Sequence, residues 1–250
     1  GANFSQALTL IATNALGPAG VRIGNIYGRE GPERAFKEYA DMQRIWVVAV
    51  TGWSAVGMAA AYFGTTAWLG PGFQLASWVA VAAICASMPW LLMGMVNIYL
   101  TLMRRAGLEM RCGLVAMGLN IALAIPASLF GAVAVVAATG LAQLLSAAYL
   151  FRLARRQLRS DIPSVIREIP VLRALAAAAV TVALELLLRP HVHVGTLGLL
   201  ECVPPAIIGL LVFTVLVVGP TRLVRLVKRR GSAEPPTEVS GQLGATPTVG

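Results

Sequence analysis

The feature that most constrains this chain is the clustering of its positive charge. All but one of its 20 Lys and Arg residues lie in four blocks, residues 22–44, 104–111, 152–173 and 222–230. No charged residue occurs between the first and second blocks, or between the second and third. A helix crosses a bilayer core about 30 Å thick with roughly 20 residues. Each uncharged stretch is therefore long enough to cross a membrane and return, which places successive basic blocks on one side.

This pattern predicts the orientation of the chain as well as its class. Basic residues concentrate in cytoplasmic loops of membrane proteins, so the blocks are expected in the cytoplasm, with the N-terminus outside. The chain is 57% hydrophobic and 12% charged, whereas soluble proteins have about 25% charged residues. Its net charge of +9 is explained by attraction to anionic inner-leaflet lipids. Nucleic acid is therefore not an expected partner, and membrane lipids are.

The hydrophobic pattern predicts an all-α, polytopic transmembrane helix bundle in the inner, cytoplasmic membrane. Its seven spans are expected at about 4–21, 45–68, 75–103, 113–129, 132–151, 174–188 and 203–218. Gly70-Pro71-Gly72 and Phe130-Gly131 are expected as outer turns. The predicted organisation is a five-span part over 1–151, a basic linker over 152–173, two further spans over 174–220 and a basic, then disordered, tail over 221–250.

Residues 28–44 carry the pattern of a separate amphipathic helix. Oppositely charged residues recur four apart, as in Glu30/Arg34 and Glu33/Lys37, a spacing that stabilises helices. Apolar side chains share one face of this helix, namely Phe36, Tyr39, Met42 and Trp46. We expect a short interfacial helix resting on the inner leaflet.

The chain begins at Gly1, without an initiator Met or a signal peptide. It is therefore expected to be a fragment of a longer protein.

Three stretches resemble the C-terminal half of a known transporter superfamily. They are TNALGPAGVRIGNIYGREGPERAFKEYADMQRIW at 13–46, TTAWLGPGF at 65–73 and NIALAIPASLFGAVAVVAATGLAQLLSAAYLFRLARRQL at 120–158. In order and character they are similar to the polysaccharide-export (Wzx-like) branch of the multidrug/oligosaccharidyl-lipid/polysaccharide flippases. Seven spans from outside to inside are what helices eight to fourteen of such a protein supply.

The resemblance implies a transporter that flips a polyprenyl-pyrophosphate-linked saccharide across the cytoplasmic membrane for envelope glycan export. It implies no cofactor. Two lobes would rock about a central cavity, so the absent N-terminal lobe becomes an expected partner. The alternatives are a drug/cation antiporter of the same superfamily, a non-transporting envelope-assembly component, or a membrane glycosyltransferase. The chain has no DxD, HExxH or Walker phosphate loop, so it is not expected to be an enzyme.

Two sets of polar residues are candidates for the substrate path. Arg binds phosphate bidentately, so Arg22, Arg104 and Arg105 are candidates for a lipid pyrophosphate at the cytoplasmic mouth. Their alternative role is ordinary membrane anchoring. Amides within spans are costly unless paired, and they either line a hydrophilic cavity or hydrogen-bond between helices. These amides are Asn14, Asn97, Asn120 and Gln143.

Three prolines and one acid complete the candidates. Pro18, Pro89 and Pro126 are expected to kink helices. Glu185 is the one acidic residue within a predicted span, which makes it a candidate for ion coupling. Alternatively, Glu185 forms an ion pair with Arg189, four residues later, which would neutralise its charge.

The remaining reactive side chains are expected to be structural. His191 and His193 are expected to be solvated, and no metal site is expected. Cys85, Cys112 and Cys202 are expected to be small apolar filler.

Overall fold

A computed structural model describes Leu10 and residues 14–158, 169–188 and 193–219. Within these residues the regular structure is helical, and no strand occurs. The helices, numbered in chain order, are α1 (Leu16–Glu30), α2 (Pro32–Leu69), α3 (Gln74–Leu102), α4 (Ala106–Ala127), α5 (Ala132–Leu158), α6 (Val171–Leu188), α7 (Thr196–Glu201) and α8 (Val203–Val218). Short 3-10 turns occur at Pro71–Phe73 and Ser128–Phe130.

Six helical segments in this part of the chain are long and apolar enough to cross a membrane. They are α2 to α6 and the joined segment Thr196–Val218. The prediction of an all-α polytopic bundle is therefore confirmed. Half of the predicted first span (4–21) lies outside the described residues. So do linker residues 159–168, the basic block 222–230 and the tail, and the side on which each end lies stays a prediction.

The two predicted outer turns are present. Gly70 and Gly131 have φ values of 92° and 94°, a region that residues with a Cβ rarely adopt. Each glycine ends one helix and is followed by an antiparallel neighbour, α3 after Gly70 and α5 after Gly131. These turns define the far end of the bundle. The opposite end, where α2 begins and α3 and α5 finish, is called the basic end.

The longest helix, α2, is central to the packing. It contacts α3 on one side and α6, α7 and α8 on another, while α3 also contacts α5. α4 packs mainly on α5 and exposes an apolar stripe of Met110, Leu114, Met117, Ile121 and Ile125. Small residues allow close helix approach: the Phe213 ring of α8 covers Gly52 of α2, and Thr181 of α6 lies against Gly209 of α8.

The prediction of a separate interfacial helix over 28–44 is wrong. α1 continues to Glu30, and after Gly31 the rest of the segment is the first part of α2. Because no proline lies between Pro32 and Gly70, the 38 residues of α2 run for about 57 Å, nearly twice a bilayer core. The predicted lipid-facing stripe packs on protein instead, as Phe36 and Tyr39 contact Tyr99 of α3.

Two predicted loops are also shorter than expected. The turn between α3 and α4 spans only residues 103–105, so Glu109 and Arg111 belong to α4. The predicted outer loop before the last span contains the six-residue helix α7. Both helices begin earlier than hydropathy indicated, because polar residues are compatible with a helix that extends beyond the apolar core.

Candidate functional site

A cavity of about 460 Å³ lies between α3, α4 and α5. α3 contributes Asn97, and α5 contributes Gln143. The other polar lining residues are Glu109, Cys112 and Ser146, and the apolar ones include Trp90, Met93, Met110 and Ala116. This space is called the polar cavity. Its volume falls within the range of about 300–1,000 Å³ typical of small-molecule sites.

Two amide oxygens of the polar cavity lack hydrogen-bond partners. Asn97 Oδ1 and Gln143 Oε1 are buried, and neither accepts a hydrogen bond within the described part of the chain. Buried polar atoms are nearly always paired, because an unpaired one costs free energy. Two acceptors on facing helices therefore suit a ligand that supplies hydroxyl or amine donors.

Cys112 and Ser146 link the two helices that form one wall of this cavity. Cys112 Sγ lies 2.8 Å from Ser146 Oγ, and the Ser146 hydroxyl donates to the Cys112 carbonyl over 2.9 Å. Both residues are buried. The interpretation of Cys112 as apolar filler is therefore wrong, since its thiol takes part in a polar contact that joins α4 to α5.

The other predicted amides do not line the polar cavity. Thr139 of α5 donates to Asn120 Oδ1 of α4 over 3.0 Å, so Asn120 forms the interhelical hydrogen bond that was the alternative. Asn14 is exposed, just before α1. The structure thus brings together two of the four amides, Asn97 and Gln143.

The three predicted arginines lie at the basic end. Arg22 Nη2 is 2.7 Å from Glu38 Oε1, an ion pair that joins α1 to α2. Arg104 and Arg105 are exposed in the turn after α3, where Arg104 has a φ of 55°. None of the three lines the polar cavity.

Each predicted proline lies within a helix. Pro18 occupies the first turn of α1, where its missing N–H leaves no intrahelical bond unmade. Pro89 is in the middle of α3, and Pro126 is in the last turn of α4. Pro89 and Pro126 therefore each remove one hydrogen bond from a helix, whereas Pro18 does not.

A second cavity, of about 270 Å³, lies at the far end. Glu185 lines it and is only 2% exposed. Its Oε1 has no partner among the described residues, and Cys202 lines the same cavity. Arg189, the expected partner, is outside the described residues. Tyr62, Thr66 and His193 add further polar groups to the lining.

The His193 side chain is 70% exposed, which agrees with the predicted solvation, and it also has a partner. His191 lies outside the described residues. The His193 Nδ1 lies 2.9 Å from Glu201 Oε1, and the His193 backbone N–H donates to Glu201 Oε2 over 3.0 Å. These contacts hold His193, which precedes α7, against Glu201, the last residue of α7. Within the described residues, no group of three or more His, Cys, Asp or Glu side chains is arranged to hold a metal ion.

No protein-family model, curated protein or solved structure matches this chain.

A third space, which contains none of the predicted site residues except Pro89, lies at the basic end of α5. This basic groove has a volume of about 500 Å³ and contains three arginines, Arg152, Arg155 and Arg156. Its other lining residues are Pro89, Leu92, Leu144, Ala147, Ala148, Phe151 and Ile169. The available signal was the spacing of the arginines, which places them on one helix face. The predicted basic linker over 152–173 includes them without assigning them to a site.

Proposed function

We propose that this chain is part of a transporter that moves a lipid-linked oligosaccharide precursor across the cytoplasmic membrane. The observation that carries the proposal is the polar cavity, where Asn97 and Gln143 present unpaired oxygens between spanning helices. α5, which supplies Gln143 and Ser146, belongs to the stretch that most resembles the flippases.

The lining of the polar cavity suits a saccharide. Amide oxygens accept hydrogen bonds from hydroxyl groups, and the Ser146 hydroxyl and Glu109 carboxylate add further polar partners. Trp90 offers an aromatic surface against which the apolar face of a sugar ring can pack. A polar ligand of this kind would provide the donors that the two buried oxygens lack.

The flippase resemblance supplies the rest of the proposed mechanism. A second lobe of about seven spans would face this one, and relative movement of the lobes would expose the substrate to each leaflet in turn. In-frame coding sequence for such spans upstream of Gly1 would support this part of the proposal. A stop codon and a start codon near Gly1 would contradict it.

Variants of the polar cavity test the proposal in cells that depend on the intact transporter. We expect the double variant Asn97→Leu/Gln143→Leu to reduce glycan export at least tenfold while the protein level in the membrane is unchanged. Asn120→Leu is the matched control, because Asn120 pairs with Thr139 outside the cavity. Normal export by the double variant would overturn the proposal.

A drug/cation antiporter is the second candidate, and the carboxylate of Glu109 favours it. This group lines the polar cavity, where it would attract an organic cation. Glu109→Gln separates the two functions. It should abolish efflux of a fluorescent organic cation if the protein is an antiporter, and leave glycan export near normal if the substrate is a saccharide.

A further inference from the structure

We propose that the basic groove binds an anionic phospholipid, with an acyl chain on its apolar walls and the phosphate at Arg152 and Arg156. This inference does not depend on the proposed transport function. It concerns a different face of α5 from the one that lines the polar cavity. It also assigns a role to arginines that the resemblance leaves without one.

The groove has the shape and size of a site for one lipid chain. Its volume of about 500 Å³ lies between α3, α5 and the residues that lead into α6. Leu92 of α3 and Ile169 form one side, and Leu144 and Phe151 of α5 form the other. A small anion would leave these walls uncovered, whereas a hydrocarbon chain would cover them.

The charge of the groove is confined to one end. Arg152, Arg155 and Arg156 have the i, i+3, i+4 spacing that places side chains on a single helix face. One or two turns earlier, Leu144 and Ala148 lie on the same side of the groove. None of the described residues that line it is acidic. The groove therefore changes from apolar to cationic along α5, which complements an anionic amphiphile.

The position of the arginines favours a membrane lipid over a soluble anion. The apolar span that contains them ends at Arg156, and lipid headgroups are expected at the level where an apolar span ends. Guanidinium groups bind phosphate through paired, charge-assisted hydrogen bonds. Basic pockets between spanning helices are sites of this kind. The expected occupant is thus a phospholipid of the leaflet at the basic end.

Native mass spectrometry of the purified protein tests the site directly. The protein in detergent would be mixed with equal amounts of dioleoyl phosphatidylglycerol and dioleoyl phosphatidylcholine. We expect retention of one phosphatidylglycerol, and a loss of about tenfold in this selectivity for Arg152→Gln/Arg156→Gln. The control Arg29→Gln/Arg111→Gln removes the same charge from exposed positions at the basic end and should keep the selectivity.

Two further arms separate a lipid groove from simple charge attraction. Ala148→Trp should reduce phosphatidylglycerol retention while all the arginines remain, because the indole would fill the apolar part of the groove. sn-Glycerol 3-phosphate, which has the phosphate without the acyl chains, should not compete. Equal losses in the arginine variant and its control would overturn the proposal. So would full competition by glycerol phosphate, or no lipid retained by the wild type because residues 159–168 or a second copy fill the groove.

Discussion

The ring of Tyr39 on α2 stacks on the ring of Tyr99 on α3, with centroids 4.5 Å apart and planes inclined by 21°. Phe36 packs against both rings. This cluster holds the first part of α2 against α3 at the basic end. The Tyr39 side chain is fully buried, and its hydroxyl has no hydrogen-bond partner among the described residues.

Two substitutions of Tyr39 separate the contribution of its ring to stability from that of its unpaired hydroxyl. Tyr39→Phe keeps the ring stack and removes a buried polar group, so the free energy of unfolding should stay the same or rise. Tyr39→Ala removes the ring and should cost about 3–5 kcal/mol. Denaturant unfolding in detergent measures both values. Tyr149→Phe, at an exposed position, is the control and should have no effect. If Tyr39→Phe lowered the free energy of unfolding as Tyr39→Ala does, the Tyr39 hydroxyl would have to be paired.

Close packing of α8 on α2 depends on the absence of a side chain at Gly52. A Cβ at this position would overlap the buried Phe213 ring. We expect Gly52→Ala to lower the free energy of unfolding by about 1–3 kcal/mol, the usual cost of overpacking. Gly118→Ala is the matched control, because Gly118 also lies in a helix and nothing stands within 4 Å of its added Cβ. Equal effects of the two variants would contradict this account of the packing.

The spans and turns were predictable because local chemistry determines them. A bilayer requires long apolar helices whose backbone groups bond internally, and Gly70 and Gly131 have the positive φ angles that turns often require. The course of residues 28–44 was not predictable in this way. Their apolar stripe suits a lipid surface and a protein surface equally, and the surface that binds it, Tyr99, lies much later in the chain.

The candidate site shows the same limit. Asn97, Asn120 and Gln143 give identical signals as amides within apolar spans. Only the rotation of each helix decides that Asn97 and Gln143 share a cavity while Asn120 meets Thr139. Helix rotation follows from packing against distant segments, which hydropathy does not encode.

The ion pair between Arg22 and Glu38 can be tested by exchanging its charges. Arg22→Glu and Glu38→Arg should each lower stability by less than about 1 kcal/mol, since Arg22 is exposed and water screens the pair. The double exchange Arg22→Glu/Glu38→Arg should restore stability. If the role of Arg22 is to hold α1 on α2, glycan export by the intact transporter should recover as well. If the double exchange restored stability but not glycan export, Arg22 would instead be assigned to the substrate path.

Glu185 has two possible roles, and a single substitution gives opposite results for them. As an ion-coupling group, its buried carboxyl should tolerate Glu185→Gln without loss of stability, because the amide keeps the size of the side chain. Transport in proteoliposomes should then no longer respond when an ionophore collapses the ion gradient. The wild-type protein should respond.

If Glu185 instead pairs with Arg189, the same variant should lower the free energy of unfolding, because Arg189 would lose its partner. The second-site change Arg189→Gln should then restore the stability of Glu185→Gln. The burial of Glu185 beside a cavity lined by Thr66, His193 and Cys202 favours the first outcome. A rescue by Arg189→Gln would contradict it and assign Glu185 to the packing of the far end.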